Sequence, residues 1–446
     1  MTVRTRFAPS PTGFLHIGSL RTALYAYALA KHTGGDFILR VEDTDQKREV
    51  EGATEALQAT LEVFGIIWDE FYIQSKRHES GIYTEAAKRL VSENHAFYCQ
   101  CKPKNSKEVG YSTELRDPCR DKSLTSGAIK LRVPENEILT YHDFVHKKDI
   151  SWNSNDVYDA TLLKSDGFPT YHLAAMVDDI DMKITHIMRG HDWLPSTPIH
   201  LLVFKYLGAT RPEIGHLTDI LSATSGKKLS KRRDSVFVEQ FLDEGYLPQA
   251  LLNFIMLLGW APSDNREQYT LAEFVSAFNE KGFGEANPKF LIDKLDWFNG
   301  LYIRQLSDEA LVDLIVKFVP QTFDKEVLKE TLPLIKDRLK KLTDYKDFAG
   351  FFFEKPEVEG SLLGEKYKDH LESARSVISD LSDFNLESLN EALMAEVKER
   401  SYKTGDFFMD MRIAITGKKF TPPINESMII LGKDETLSRL KSVIDL

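Results

Sequence analysis

The chain has 446 residues, 42 % of them hydrophobic and 28 % charged, with 57 Lys+Arg against 68 Asp+Glu for a net charge of −11. These are ordinary globular values spread over about two to four domains; no run approaches the ~18 apolar residues of a membrane span, and no apolar stretch follows Arg4 and Arg6 to make a secretory signal. Three cysteines exclude a disulfide framework and point to a reducing compartment, the cytoplasm, while the acidic balance excludes bulk nucleic-acid binding and demands that any RNA partner meet a local basic face in a salt-sensitive way.

No internal repeat or low-complexity tract is visible. Val3 to Ala8 alternates as a strand. Pro9-Ser10-Pro11-Thr12-Gly13 makes a turn, and Ser19 opens an amphipathic helix, Leu20 to Lys31, that ends at Gly34-Gly35. Asp36 to Val41 reads as a buried strand, and Val50 to Phe64 and Glu79 to Asn94 as helices. This β-α-β-α order predicts a parallel, doubly wound α/β sheet. From Phe97 to Asp166 short strands and charged turns replace the pattern, as an α+β insertion would. Tyr171 to Asp178 and Ile184 to Met188 then return to the sheet, followed by a helix at Thr197 to Leu207.

Tyr246 to Trp260, with Pro248 in its first turn, and Asn287 to Asn299 read as a connecting helical module. Beyond Leu306 the chain is helical almost throughout: Asp308–Phe318, Lys325–Leu342, Lys366–Leu381, Leu386–Arg400 and a last helix ending at Leu446, with breaks such as Glu354-Lys355-Pro356. An all-α bundle is the simplest arrangement of these segments.

The most informative segment is Pro9 to Ser19. It sets His16 and Gly18 at a strand-to-helix junction, where free backbone N–H groups and the helix dipole favour an anion such as triphosphate. Neither a P-loop nor a Gly-x-Gly-x-x-Gly fingerprint is present, so another group must hold the phosphates, and His16 is at hand. His16-Ile17-Gly18-Ser19 resembles the "HIGH" element of class I aminoacyl-tRNA synthetases, with Ser19 in place of the final His. Arg6 to Gly13 resembles the frame of that element in glutamyl-tRNA synthetases. Lys228-Leu229-Ser230-Lys231-Arg232 is similar to the second signature, "KMSKS", and lies about 210 residues further on, with Arg40-Val41-Glu42-Asp43-Thr44-Asp45 and Tyr171-His172-Leu173-Ala174 between. The resemblance covers essentially the whole chain. It implies a Rossmann-like catalytic sheet in two halves, 1–96 and 167–238, an inserted acceptor-binding domain at 97–166, a helical connecting module at 239–305 and a helical anticodon-binding region at 306–446.

The resemblance also implies roles. His16 contacts the ATP phosphates, and Gly18 lets the nucleotide approach the backbone. Lys228 and Lys231 neutralise phosphate charge from a loop that closes, with Lys231 the better single choice; Ser10, Leu229, Ser230 and Asp192 complete the ATP set. A helix-start His and a solvated basic loop are the plain alternatives for these residues, and the pairing of the two motifs favours the functional reading. At Asp192 the family carries an acidic pair, here His191-Asp192, and the shorter side chain bears on any ribose contact. Glutamate has two carboxylates and one ammonium, which demands arginines and an acid. Arg6, Ser10, Glu42, Tyr171, Arg189 and Trp193 match that site in the resembled family, with Glu42 facing the amine; which arginine takes which carboxylate is open.

Cys99, Cys101 and Cys119 all fall in the insertion. Three zinc ligands and three free thiols are both compatible with them, and Asp121, Tyr111 and His95 are the fourth-ligand candidates. Arg338 lies in the basic run Arg338-Leu339-Lys340-Lys341 on a helix, and matches a position that favours C as third anticodon base. Arg412 serves either the anticodon or packing. The expected protein is a cytoplasmic, monomeric glutamate–tRNA ligase that uses ATP, Mg²⁺, L-glutamate and tRNA(Glu). Its alternative is a non-discriminating enzyme that also charges tRNA(Gln). Glutaminyl-tRNA synthetase fits the Ala8–Gly13 and Glu42–Asp45 segments less well. The short paralogue that modifies a tRNA base lacks the helical C-terminal region, and a catalytically dead homologue would have lost His16, Lys231 or the arginine pair.

Overall fold

The computed structural model describes residues 2–45, 50–101, 115–229 and 236–446. Ser230, Lys231, Arg232 and Tyr111 lie outside them. The chain forms two compact units, one of residues 1–241 and 251–292 and one of residues 242–250 and 293–446.

The first unit opens with β1 (Arg4–Phe7), α1 (Ile17–His32), β2 (Asp36–Val41), α2 (Ala53–Val63), β3 (Glu70–Ile73), α3 (Gln74–His78) and α4 (Ile82–Ser92). β1 pairs with β2, and β2 with β3, all parallel. The insertion contributes β4 (Ala96–Cys99), β5 (Ala128–Leu131), β6 (Ile138–Asp143), β7 (Lys148–Asn153) and β8 (Thr161–Leu163). The second half adds α5 (Tyr171–Asp181), β9 (His186–Gly190), α6 (Thr197–Tyr206) and β10 (Glu213–Leu217). β10 pairs in parallel with β9 and with β6, and the Thr185 N–H donates to the Arg4 carbonyl at 2.9 Å, which joins this second sheet to β1. The order is therefore β3-β2-β1-β9-β10-β6-β7, and it reverses direction between β1 and β9. In open α/β sheets ligands bind outside the carboxyl ends of the strands at such a switch point.

The hairpin β6–β7 extends this sheet, while β4, β5 and β8 make a separate antiparallel sheet. Gly215 on β10 makes the junction possible: a Cβ there would lie 2.6 Å from Val145 and 2.7 Å from Phe144, which close over the strand.

Several expected elements differ. Helix α1 begins at Ile17 rather than Leu20, because the His16 ring accepts the Gly18 N–H and caps it. Tyr171–Asp178 is helix, not sheet: in α5 every residue from His172 to Asp179 is buried, so the helical period that marks an amphipathic helix is absent. The segment before Ile292 is not helical; Pro288 holds it extended and Lys289–Phe290 pairs with Leu221–Ser222. Pro248 is the first helical residue of Pro248–Met256, which is shorter than expected and is followed by Gly259 at φ 102°.

All the described secondary-structure elements of the second unit are helices. Its helices include Asp308–Ile315, Lys325–Ile335, Tyr367–Asp380, Leu386–Glu399, Thr404–Thr416, Ile424–Leu431 and Lys433–Ile444. Ser307, Asp324 and Asn385 cap three of them through side-chain oxygens. One core gathers around Leu311, Ile335 and Tyr345, another around Leu371, Leu393 and Met411. Lys325–Leu342 is not one helix. The Asp344 carboxylate captures the Lys340 and Lys341 N–H groups, and Lys336–Arg338 becomes a 3₁₀ turn.

Three imidazoles lie in the first unit's core: His172, His200 and His216. Burial pushes His172 and His216 down to about 4 and His200 well below its ordinary value, with the charge of Arg189 adding to each. The unfolded chain takes up these protons below ~6.5 while the folded chain does not. Their full stabilisation is therefore present above that pH and is lost as pH falls towards 4, by roughly 3 kcal/mol for a fully buried imidazole. The first unit's thermal transition is expected to fall steeply between pH 6.5 and 4. A midpoint that stays level across that interval would show that these rings are not buried in the neutral form.

Candidate active site

At the switch point the ends of β1 and β9 diverge around a cavity of about 580 Å³, lined by Arg6, Ser10, His16, Gly18, Glu42, Tyr171, Arg189, Asp192, Trp193, Lys228 and Leu229 among others. Every described residue of the expected ATP and glutamate sets thus lines one cavity.

His16 ends the turn after β1. Its Nδ1 accepts the Gly18 N–H at 2.9 Å, which makes Nε2 the protonated, donating nitrogen. Gly18 is confined by the same ring, since a Cβ there would lie 3.2 Å from His16 Nδ1. Ile17 N–H donates to Val236 at 2.9 Å, Val238 N–H donates to Leu15, and Leu229 N–H donates to Ile220 at 2.8 Å. The described residues on both sides of 230–235 are therefore tied to the first motif or to the cavity wall. Lys228 reaches Asp192 at 2.5 Å and Asp219 at 2.8 Å, and remains half exposed.

Opposite lie two arginines in unlike electrostatic settings. Arg6 on β1 is buried and forks onto Asp179 of α5 at 3.0 and 3.4 Å. Arg40 shares that carboxylate at 2.6 Å and also holds Glu42 at 2.9 Å. The neighbouring Asp178 accepts from Gln74, Arg77 and Tyr83 at 2.8–2.9 Å. Cations and carboxylates balance in this group. Glu42 is pulled two ways: burial raises its pKa, Arg40 and Arg6 lower it, and burial is the larger effect.

Arg189 on β9 is buried too, yet its bonded partners are neutral. It donates to His216 at 3.0 Å, His200 at 2.9 Å, Thr197 at 2.8 Å and Tyr171 at 3.3 Å. Tyr171 and Trp193 pack with their rings tilted by 38° at a centroid distance of 4.2 Å and wall this corner, with Trp193 41 % exposed. Arg189 is thus hydrogen-bonded, yet among the described residues it has no carboxylate paired with it. The sequence reading missed Asp178, Asp179, Arg40, Thr197, His200, His216 and Asp143. Asp178-Asp179 beside a Tyr-His motif was a usable signal, because a consecutive acidic pair in an apolar run must have buried partners.

Away from the cavity, Cys99, Cys101 and Cys119 converge with Asp117, their ligand atoms all within 4.8 Å of one another. Cys101 and Cys119 sulfurs are 3.3 Å apart, Cys99 lies 3.3 Å from Asp117, and Lys130 pairs with Asp117. Asp121 and His95 are not the fourth member. Asp121 points to solvent beside Arg132, and His95 stacks on Tyr206 at 3.9 Å. Asp117-Pro118-Cys119 forms a turn in which Asp117 accepts the Cys119 N–H, and this turns the carboxylate towards the thiols.

In the second unit Arg338 lies on its 3₁₀ turn rather than on a helix and donates to the Thr421 carbonyl at 2.6 Å. Arg412 donates to the Thr421 hydroxyl and the Pro422 carbonyl, each at 2.6 Å. Burial lowers its pKa, and the Arg338 charge adds to this. Arg412 is thus a clamp on the turn that Arg338 faces.

The chain matches "tRNA synthetases class I (E and Q), catalytic domain" over residues 2–297 and "Anticodon binding domain" over residues 310–444. It is 37 % identical to the glutamate–tRNA ligase of Clostridioides difficile (strain 630), across 99 % of both chains. It is 35 % identical to that of Treponema denticola, across 100 % of this chain and 99 % of the other. The crystal structure of a glutamate tRNA ligase from Elizabethkingia meningosepticum in complex with its amino acid superposes with a TM-score of 0.86 at 31 % identity, covering 100 % of this chain and 99 % of that one. A cavity at the switch point, lined by both class I motifs and floored by an unneutralised arginine, agrees with this likeness over the full length, and the chain belongs to the glutamate–tRNA ligases, the glutamate branch of the class I aminoacyl-tRNA synthetases.

Proposed function

We propose that ATP enters against the His16–Gly18 turn, with Ser10, Asp192, Leu229 and the 230–231 pair around it, and that glutamate occupies the Arg6–Glu42–Arg189 side. Glutamate's α-carboxylate attacks the α-phosphate, giving glutamyl-adenylate and pyrophosphate. A terminal hydroxyl of tRNA(Glu) then attacks the acyl carbon and displaces AMP. His16 Nε2–H donates to phosphate oxygen, and Lys228 with Lys231 neutralises the charge that develops there. Lys228 starts out bound to Asp192 and Asp219, so it exchanges carboxylates for phosphates as the nucleotide arrives. Mg²⁺ accompanying ATP supplies further charge neutralisation. No covalent nucleophile is needed.

The setting of Arg189 carries this reading. The α-carboxylate loses its charge during the reaction, whereas the side-chain carboxylate keeps it throughout. A buried cation with neutral protein partners suits the charge that persists, so Arg189 takes the side-chain carboxylate. Glu42, aligned by Arg40, takes the ammonium. Arg6, with two nitrogens committed to Asp179, holds the wall and offers its remaining N–H groups to the α-carboxylate. Tyr171 and Trp193 exclude water. A cytoplasmic location agrees with this reaction and with the small number of cysteines.

Cys99, Cys101, Cys119 and Asp117 fit a tetrahedral structural zinc: three soft sulfurs and one oxygen, with Lys130 offsetting excess negative charge. Zinc there would fix the chain between β4 and β5. The purified protein is expected to carry about one zinc per chain, to lose it when the three cysteines become serine, and to release it faster to a chelator as Asp117→Ala. Metal analysis finding no zinc, or an Asp117→Ala variant that holds it as firmly, removes that ligand set.

The acidic chain must find its tRNA through local basic groups, and the match of Arg338 to the family position supports a role at the third anticodon base, C in tRNA(Glu) and G in tRNA(Gln). The deciding experiment charges purified tRNA(Glu) and tRNA(Gln) with glutamate and with glutamine. Glutamate on tRNA(Glu) is expected to dominate, and Arg338→Gln is expected to erode the preference between the tRNAs by about 1–3 kcal/mol. Equal charging of both tRNAs by the wild type would establish the non-discriminating enzyme, and charging with glutamine would overturn the amino-acid assignment.

A further inference from the structure

Arg189 is held from behind by a chain of groups that never reaches the cavity. Its partner across the strand pair is His216 on β10, and the two residues are in register. Arginine only donates hydrogen bonds. The 3.0 Å bond from Arg189 Nε therefore makes His216 Nε2 the lone-pair nitrogen, and Nδ1 carries the proton. That proton is donated to Asp143 Oδ2 at 2.7 Å. Asp143 ends β6, in the inserted segment, and is itself oriented. Its Oδ1 accepts the backbone N–H groups of Val145 at 3.1 Å and His146 at 2.9 Å, while Tyr141 donates to Oδ2 at 2.8 Å. All three members are buried.

We propose that Asp143 and His216 are positioning residues for amino-acid selection. Asp143 fixes the His216 tautomer, and His216 fixes the rotation of the Arg189 guanidinium. With Nε–H on His216, one Nη1–H on His200 and one Nη2–H on Thr197, the second Nη2–H and the Nη1–H that Tyr171 holds at 3.3 Å are the donors left for the cavity. They suit a carboxylate and reject a carboxamide, whose own NH₂ would face one of them. A guanidinium free to turn about its last bond would present a less definite edge. The inserted segment thus serves the amino-acid site as well as carrying its own sheet. This inference rests on Arg189 as the carboxylate receptor.

The most direct test is Asp143→Asn. Val145 and His146 still need an acceptor, so the amide oxygen takes the Oδ1 place and the NH₂ turns towards His216 Nδ1. The ring must then accept at Nδ1 and carry its proton on Nε2, pointing at the Arg189 Nε–H. The full chain, assayed for aminoacylation of tRNA(Glu), is expected to show a KM for glutamate raised about tenfold or more, with KM for ATP and kcat at saturating glutamate within about twofold. The preference for glutamate over glutamine is expected to fall. In an Arg189→Ala background the same change is expected to add nothing, because there is no guanidinium left to orient.

If Asp143→Asn does not fold, the pair His216→Gln and His216→Phe decides. Gln retains an acceptor for Nε–H and is expected to recover much of the glutamate KM that Phe loses. Equal losses for Gln and Phe, equal rises in KM for ATP and glutamate, or full additivity with Arg189→Ala would overturn the positioning role. An Arg189→Ala variant with an unchanged glutamate KM would instead remove the carboxylate receptor itself. A raised KM in Arg189→Ala beside an unchanged one in Asp143→Asn would remove only the relay.

Discussion

The acidic pair Asp178-Asp179 holds the catalytic unit together. Asp179 is shared by Arg6 of β1 and Arg40 of β2, and Asp178 by Gln74 and Arg77 of α3 and Tyr83 of α4. One turn of α5 thereby fixes two strands and two helices that arrive from far apart in sequence. Buried carboxylates are tolerable only when paired and fully hydrogen-bonded, and removing one partner costs about 3–5 kcal/mol. The pair thus specifies where the sheet, the helices and the cavity wall must meet.

The same balance sets the charges around the cavity. Three arginines are neutralised by Asp178, Asp179 and Glu42, so they build the site without attracting anions indiscriminately. Arg189 stands apart, surrounded by neutral imidazoles, a hydroxyl and a phenol. Among the described residues its charge is countered at one remove, through His216 to Asp143, where the His216 bond and backbone N–H groups outweigh burial and hold the carboxyl down at about 2. Under the proposed reading, this is the corner that would take the side-chain carboxylate. On the other wall Lys228 is covered by Asp192 and Asp219, a partly exposed set that is only modestly stabilised.

Much of this was legible in the sequence because it is local. His16 and Gly18 stand next to each other at a helix start, and the turn, the cap and the motif are one feature. β2 was found residue for residue, Asp36 to Val41, because a buried parallel strand is a short apolar run bounded by turns. The failures share a cause. Helix α5 is buried on every face from His172 to Asp179, so its apolar run carries no period and reads as strand. Arg338 was placed on a helix because nothing nearby in sequence reveals that Asp344 captures the Lys340 and Lys341 amides. His216, His200 and Asp143 went unnoticed because their importance comes entirely from Arg189, which joins them only in the folded sheet. Asp117 was passed over for a similar reason, since its carboxylate reaches the thiols through a turn.

The central claim is that glutamate's persistent charge rests on Arg189 and its ammonium on Glu42. A crystal structure of the protein with a non-hydrolysable glutamyl-adenylate analogue tests this most directly. The side-chain carboxylate should lie within hydrogen-bond distance of Arg189, with Glu42 on the ammonium, the phosphate beside His16 and the Arg6–Asp179 fork intact. A side-chain carboxylate seated on Arg6 with that fork broken, and Arg189 still bonded only to its neutral neighbours, would contradict it.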